Sequence, residues 1–399
     1  MWDKLLDHFL NGLIVNDRLT IEYPDGTIRD YGPDTGRTAR IKIHDPTVIK
    51  ALCINPDLGF GEGYMSGKLT LQNTTLEQAI NMVVRNREVG TLPAWLRLRN
   101  KAQFHMRRFV QINAPAKARA NVAHHYDISD DLYGLFLDVD MQYSCAYFTD
   151  PKMSLEDAQS AKKSHIARKL QLEPGMHVLD IGCGWGGMAM TLARDFGARV
   201  TGITLSENQL ATAQRRTEQA GLTDQITFDL QDYRHTRGQF DGVVSVGMLE
   251  HVGLPNYVTY FGKVAEVLAP NGTALIHTIG RTGPPTVQSR WITKYIFPGG
   301  DTPSLSDLAK PIEKSGLWQA DIEVWRLHYA MTIRHWRNRF EANLDTIKGM
   351  YDEEFVRMFR YYFTVCIAAF EHQMQAVYHF QLSHKRDAVP LTRDYLYGS

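Results

Sequence analysis

The sequence predicts an α/β protein: a mostly parallel sheet flanked by helices, preceded by a small mixed α/β domain. Three observations predict it. Strand-like and helix-like stretches alternate from Val178 to Thr278, an order that implies parallel strands joined by right-handed crossovers. The first of these strands, Val178-Leu179-Asp180-Ile181, runs directly into Gly182-Cys183-Gly184-Trp185-Gly186-Gly187, after which residues 188–196 read as a helix. The N-terminal residues instead combine an amphipathic helix with short strands around the hairpin turn Pro24-Asp25-Gly26.

Taken in order, the first helix carries the apolar stripe Trp2, Leu5, Leu6, Phe9, Leu10 and Leu13, which suits docking on its own domain. Strands follow over residues 19–23, 27–31 and 39–43. Pro46 opens a short helix, a glycine-rich stretch at residues 59–64 leads to a strand at 69–71, and residues 76–89 return to helix. Nothing catalytic stands out there. Residues 94–120 then change in composition. Arg97, Arg99, Lys101, Arg107, Arg108, Lys117 and Arg119 occur without Asp or Glu, interleaved with Trp95, Leu96, Leu98, Phe104, Met106 and Phe109. Such a segment suits an anionic membrane surface, nucleic acid, or a solvated linker helix. Pro115 marks a hinge.

From residue 121 the alternation begins: strands at 178–181, 199–204, 226–230, 241–246 and 273–278, with helices at 188–196, 207–220 and 257–268. Residues 280–303 are irregular and hold Pro284, Pro285, Pro298, Gly299 and Gly300, the composition of a lid or substrate loop. A last strand at 321–329 and two long helices, 332–347 and 353–382, complete the expectation. The domains are therefore 1–93, a basic linker 94–120, and 121–399.

The 399 residues, 44% hydrophobic and 22% charged, describe a globular protein rather than a disordered one. A formal net charge of zero gives no overall preference for nucleic acid. Cys53, Cys145, Cys183 and Cys366 are too widely spaced for a zinc site and too few for a disulfide framework, so a reducing cytoplasm fits and no metal is expected. The first 15 residues are interrupted by Asp3, Lys4, Asp7 and His8, unlike a signal peptide. No apolar run approaches the roughly 20 residues of a membrane span, so any membrane contact is peripheral.

The glycine turn implies a nucleotide-like ligand, and its surroundings narrow the choice. A dinucleotide fold normally ends its second strand in an acidic residue that holds the ribose. Here that strand ends in Thr204-Leu205-Ser206, and Glu207 comes too late, which disfavours NAD. No Gly-Lys-Ser/Thr follows the turn, which excludes a P-loop. Asp180 at the strand's end suits a cationic amino-acid sulfonium, so S-adenosylmethionine leads.

Further stretches carry a resemblance. They are His125-Tyr126-Asp127-Ile128; Met141-Gln142-Tyr143-Ser144-Cys145-Ala146-Tyr147-Phe148; Gly247-Met248-Leu249-Glu250-His251-Val252-Gly253; and Ile276-His277-Thr278-Ile279-Gly280. With the Asp-Ile-Gly-Cys-Gly-Trp-Gly turn, they closely resemble the cyclopropane-fatty-acyl-phospholipid synthases and their mycolic-acid relatives. The resemblance covers residues 121–382, and the N-terminal domain looks like the lipid-side domain of the bacterial phospholipid enzymes. It implies a Rossmann-like class I methyltransferase domain with a seven-stranded sheet. The implied reaction moves a methyl from S-adenosylmethionine to the cis double bond of an unsaturated phospholipid acyl chain and closes a cyclopropane. A homodimer at the inner face of the cell membrane, with no nucleic-acid partner, is implied as well.

That chemistry explains the residue types. An alkene is a weak nucleophile and must be held in line with the methyl. The cation formed on the chain needs a dry site with π-faces, and a base must then take a proton from the new methyl. In the resembled family a bound bicarbonate is that base. Its binding residues match Cys145, Glu250, His277, Ile279 through its backbone, and Tyr329. Glu250 beside an anion requires one of the two to be protonated.

For the donor, Tyr143 and Ser144 close over the sulfonium. Val178, Leu179, Asp180, Ile181, Gly182, Cys183, Gly184, Trp185 and Gly186 form the turn beneath it. Thr204, Leu205, Ser206, Glu207, Asn208 and Gln209 contact the ribose and methionine ends, with Thr204 and Gln209 replacing the missing acid. Tyr233 and Arg234 flank the adenine. Cys366 falls at the cysteine often assigned as active in the family; a thiolate beside a carbocation would be alkylated, so packing suits it better. His251 reads as structural, and Trp291, Tyr295, Ile296 and Phe297 as either acyl-channel walls or packing.

Two readings compete with the synthase. One is an acyl C-methyltransferase on the same scaffold that leaves a methyl or methylene branch. The other is a methyltransferase for a small soluble acceptor, which would have no use for the basic aromatic segment.

Overall fold

A computed structural model describes residues 1–111 and 129–397 and divides them into two compact units. The expectations for Pro115, Lys117, Arg119 and His125-Tyr126-Asp127-Ile128, and for the side chains of Arg108 and Phe109, fall outside the described residues.

The first unit gathers Met1–Arg107 with Thr286–Phe297 and Phe340–His372. Its sheet has the order β2-β1-β3-β4, from β1 (Arg18–Glu22), β2 (Ile28–Tyr31), β3 (Thr38–Ile43) and β4 (Leu69–Leu71). β1 runs parallel to β3 and antiparallel to β2. The N-terminal helix, Trp2–Leu13, buries Leu6, Phe9, Leu10 and Leu13 in one core with Leu19, Ile21, Ile41 and Ile43. Each such side chain contributes about 1.5–3 kcal/mol by leaving water. The stripe is therefore core, as its docking reading held.

The glycine-rich stretch lies in a helix, Pro56–Met65. Its glycines serve close approach: a Cβ at Gly61 would lie 2.3 Å from the Trp291 ring. Trp291 is fully buried, with Nε1 3.2 Å from the Met65 sulfur and its ring edge-on to Tyr361. Between the two readings of Trp291, packing is the one its contacts support. The helix Leu76–Val89 starts with a capping box between Thr75 and Gln78, where the sequence places it. The basic segment forms a helix, Ala94–Val110, whose Arg97, Leu98, Lys101 and Met106 are exposed.

The second unit is organised on a seven-stranded sheet of order β10-β11-β9-β8-β5-β6-β7. The strands are β5 (His177–Ile181), β6 (Arg199–Thr204), β7 (Ile226–Leu230), β8 (Phe240–Val246), β9 (Leu268–Arg281), β10 (Trp318–Trp325) and β11 (Gln375–Ser383). From β9 to β7 all neighbours are parallel, while β11 is antiparallel to both β9 and β10. The expected βαβ alternation is present.

The C-terminal part of the chain differs from expectation. The helix expected over 353–382 stops at Glu371, Gln373 turns the chain at a φ of 56°, and β11 follows. Nearly every residue of β11 is buried, so no alternation of apolar and polar residues distinguishes it from a helix. The strand expected over 321–329 ends at Trp325, which places Tyr329 in the first turn of the helix His328–Ala342. Two helices absent from the expectation, Leu155–Lys169 and Leu305–Ser315, belong to the second unit.

Candidate functional site

At the carboxyl ends of the parallel strands the second unit has a cleft lined by the glycine turn. Gly182, Gly184 and Gly186 have φ of 82°, 55° and 83°, left-handed values that keep the backbone close-set and free of side chains. The helix Gly187–Phe196 then presents its unpaired N–H groups. A Cβ at Gly187 would lie 2.3 Å from the Gln142 amide nitrogen, so the turn is closed on that side.

Asp180 ends the strand that feeds the turn. It is buried, its Oδ2 has no hydrogen-bond partner among the described residues, and burial raises its pKa to about 7 against the pull of Lys162. A buried acceptor left open at a cleft wall suits a ligand that brings a cationic donor.

Of the residues expected to hold the donor, Tyr143, Ser144, Asp180, Ile181, Gly182, Cys183, Gly184, Trp185, Thr204, Leu205, Gln209, Tyr233 and Arg234 line this cleft. Six do not. Val178 and Leu179 are buried in β5, Gly186 and Ser206 cap helices, and Glu207 and Asn208 are exposed. Thr204 donates to the Gln209 side-chain oxygen at 3.0 Å, so these two form one unit at the tip of β6. Arg234 is held by Asp232, with Nε at 2.8 Å and Nη2 at 2.6 Å from its two oxygens.

Sequence reasoning missed part of this wall. Gln142, Asp232, Gly247, Met248 and His251 also line the cleft. Burial lowers His251 to about 4, so it stands there as a neutral imidazole. Fully buried Lys162, from an unexpected helix, donates to Gln142 Oε1 at 2.6 Å and Ser144 Oγ at 2.8 Å. Gln159, one turn earlier, donates to the carbonyls of the same two residues at 3.2 and 3.0 Å. Together they clamp the segment Gln142–Ser144. Burial brings Lys162 down to about 7.

The acceptor-side candidates lie near the cleft in the sequence of elements but outside its lining. Glu250 accepts the Ile279 backbone N–H at 2.6 Å through Oε1, while Oε2 is buried without a hydrogen-bond partner among the described residues. The Thr278 hydroxyl donates to the Ile279 carbonyl at 3.2 Å, and its proximity to Glu250 opposes part of the rise in that carboxyl's pKa. Burial pushes Glu250 up to about 7. The Ile279 N–H is thus engaged by Glu250.

His277 is buried beside His379, its Nδ1 2.7 Å from His379 Nε2. Cys145 is fully buried, its thiol raised far above the ordinary range by burial. The next backbone N–H, of Ala146, donates to Thr332 on the Tyr329 helix at 3.0 Å.

An aromatic series joins the two ends. Ring centroids run Trp185–Tyr133 at 5.2 Å, Tyr133–Tyr143 at 5.1 Å, Tyr143–Trp336 at 5.1 Å and Trp336–Tyr329 at 5.8 Å. Cys366 belongs to the first unit, where burial raises its thiol to about 12 and keeps it protonated. Among the described residues no His, Cys, Asp and Glu group is arranged to hold a metal, and no helix is long and apolar enough to cross a membrane.

Comparison with known proteins agrees with this geometry. Residues 113–380 match the mycolic acid cyclopropane synthetase family, and residues 2–90 match a domain family of unknown function. The cyclopropane-fatty-acyl-phospholipid synthase of Escherichia coli strain K12 is 41% identical over 340 residues, 83% of this chain and 84% of that one. A probable fatty acid methyltransferase of Pseudomonas putida is 36% identical over 392 residues, 95% of this chain and 96% of that one. Among solved structures, the mycolic acid cyclopropane synthase CmaA1 complexed with SAH and CTAB is 32% identical. It covers 66% of this chain and 97% of its own, with a TM-score of 0.63. The chain belongs to the mycolic acid cyclopropane synthetase family and is an S-adenosylmethionine-dependent methyltransferase of fatty acyl lipids.

Proposed function

We propose that the protein is a cyclopropane-fatty-acyl-phospholipid synthase, which methylates the cis double bond of a phospholipid acyl chain and closes the ring with bicarbonate as base. The observation that carries this is Glu250: a buried carboxyl raised to about 7, with one oxygen fixed by a backbone N–H and the other open. A protonated carboxyl so placed is a hydrogen-bond donor, which answers the difficulty of putting Glu250 beside an anion.

S-adenosylmethionine supplies an electrophilic methyl group, and bicarbonate supplies a proton acceptor weak enough to coexist with a cation. Everything else falls to the chain. Asp180 receives the donor's ammonium end, and the Thr204–Gln209 pair takes its ribose hydroxyls. Tyr233 and the Asp232-held Arg234 flank the adenine. Lys162 and Gln159 keep Tyr143 and Ser144 against the reacting end. The faces of Tyr143, Trp336 and Tyr329 stabilise positive charge on the acyl chain without offering it a nucleophile. Cys145, as a thiol, is inert there, and with Glu250, His277 and Tyr329 it holds the base. Ile279 acts through the carboxyl it fixes.

Membrane docking rests on the helix Ala94–Val110, which exposes Arg97 and Lys101 beside Leu98 and Met106. This is the arrangement of a peripheral element on an anionic bilayer at the inner face of the membrane. The homodimer rests on family resemblance, and sedimentation equilibrium tests it.

A second reading, an acyl C-methyltransferase leaving a branch, is supported by the 36% identity to the Pseudomonas putida protein over almost the whole chain. Bicarbonate dependence tests the base. Turnover on unsaturated phospholipid vesicles should collapse in carbonate-free buffer and return on adding bicarbonate. Unchanged turnover would remove bicarbonate from the mechanism.

A further inference from the structure

We propose that His379 is a positioning residue that fixes His277 in its Nε2–H tautomer, with Lys169 setting His379 in turn. The inference rests on His277 belonging to the acid–base end of the proposed site. It begins with strand register. His277 on β9 lies directly opposite His379 on β11, and His379 lies directly opposite Glu323 on β10. Directly opposed residues share a face, so the three form one row across neighbouring strands. The helix Leu155–Lys169 brings His165 and Lys169 to that row.

The hydrogen bonds then leave one consistent assignment. Lys169 Nζ is 2.5 Å from Glu323 Oε2, and His165 Nε2 is 2.9 Å from the same oxygen. Burial works against the Glu323 carboxylate, but the His165 hydrogen bond and the Lys169 charge bring it down to about 2, so the pair is ionic. The Lys169 ammonium has three donors and no acceptor. Its second contact is His379 Nδ1 at 3.5 Å, which must therefore accept.

Glu323 lies 3.9 Å from that nitrogen, too far to take a proton from it. A neutral His379 accepting at Nδ1 carries its hydrogen on Nε2 and donates it to His277 Nδ1, 2.7 Å away. His277, accepting at Nδ1, keeps its own hydrogen on Nε2, which makes no hydrogen bond among the described residues. Burial holds both imidazoles well below their ordinary pKa, so each stays neutral.

Charge placement gives the row a purpose. A neutral His277 with a fixed N–H can hold an anion without adding a full positive charge to a site where a cation must form. The opposite tautomer would present a lone pair to that anion. The Trp325 ring, 4.0 Å from His379 and edge-on to His277 at 5.5 Å, packs the pair in place.

The test is nitrogen-15 spectroscopy on the full-length protein labelled at histidine, near neutral pH and without lipid. The expected spectrum shows a proton bonded to His379 Nε2 and coupled across the hydrogen bond to His277 Nδ1, with His277 protonated on Nε2. A proton on His277 Nδ1, or a doubly protonated His277, would overturn the inference. In turnover, His379→Leu should lower kcat at least about 10-fold with the KM for S-adenosylmethionine unchanged. His379→Gln, whose amide restores a donor, should recover most of it.

Unchanged kcat in His379→Leu would also overturn the positioning role. If that variant does not fold, the wild-type spectrum alone decides. Because the spectrum needs no bicarbonate, the tautomer stands or falls separately from bicarbonate dependence.

Discussion

Glu250 accepts the Ile279 N–H at 2.6 Å through one carboxyl oxygen and keeps the other buried, without a hydrogen-bond partner among the described residues. Burial moves its pKa from 4.5 to about 7. The folded protein therefore holds this proton more tightly than the unfolded chain does. The resulting stabilisation is complete below about pH 4.5 and is lost as pH rises through about 7. Against Glu250→Gln, which has no proton to lose, the wild type should lose roughly 3 kcal/mol across that window. Guanidinium unfolding midpoints of both proteins, taken at about pH 5 and about pH 8, measure it. Parallel midpoints would mean that Glu250 is ordinarily ionised.

The same substitution should lower turnover by about 100-fold or more, the usual scale for losing an acid–base group. Gln retains the acceptor for Ile279 and a donor on the other side, so affinity for S-adenosylmethionine should stay within a factor of two or so. Calorimetric binding beside initial rates separates the effects. Full activity would take Glu250 out of the site.

Asp180→Asn should weaken S-adenosylmethionine binding about 10- to 100-fold. A hydrogen bond to a charged group is worth roughly 1.5–3 kcal/mol, and Asp180 Oδ2 has no partner among the described residues to compensate. Titration calorimetry reads this directly. An unchanged Kd would show that the open oxygen faces no part of the donor.

Replacing both Arg97 and Lys101 with Glu reverses charge on the exposed face of the basic helix. Co-sedimentation with anionic vesicles should fall strongly, and the wild-type binding should itself weaken as salt rises. Turnover on detergent-dispersed substrate should be kept. If sedimentation with anionic vesicles does not change, this helix is not the docking element.

Much of the donor cleft was legible in the sequence because its chemistry is local. Asp180 and the glycines are contiguous, and Thr204 to Gln209 sit at the next strand's end, so spacing alone places them together. Lys162 and Gln159 were not legible, since they brace Gln142 and Ser144 from a helix whose hydrophobic pattern is weak and whose buried face holds lysines. Asp232 carried a signal that was passed over: an acid just after the third strand of the series, two residues before Arg234.

The end of the sheet was hidden for another reason. Gln375–Ser383 is covered on both faces, so it lacks the alternation that marks a half-exposed strand, and it merged with the apolar helix before it. That error also concealed His379. Only the register of β9, β11 and β10 shows that it stands between His277 and Glu323.

The central claim, ring closure on an acyl double bond, is tested most directly by the product. The protein is incubated with isotopically methyl-labelled S-adenosylmethionine, bicarbonate and vesicles of a cis-unsaturated phospholipid, and the recovered acyl chains are examined by mass and proton NMR. A synthase adds the mass of one methylene, removes the olefinic signals and gives the upfield protons of a cyclopropane. The same mass gain with a double bond still present, as a methylene or methyl branch, would contradict it.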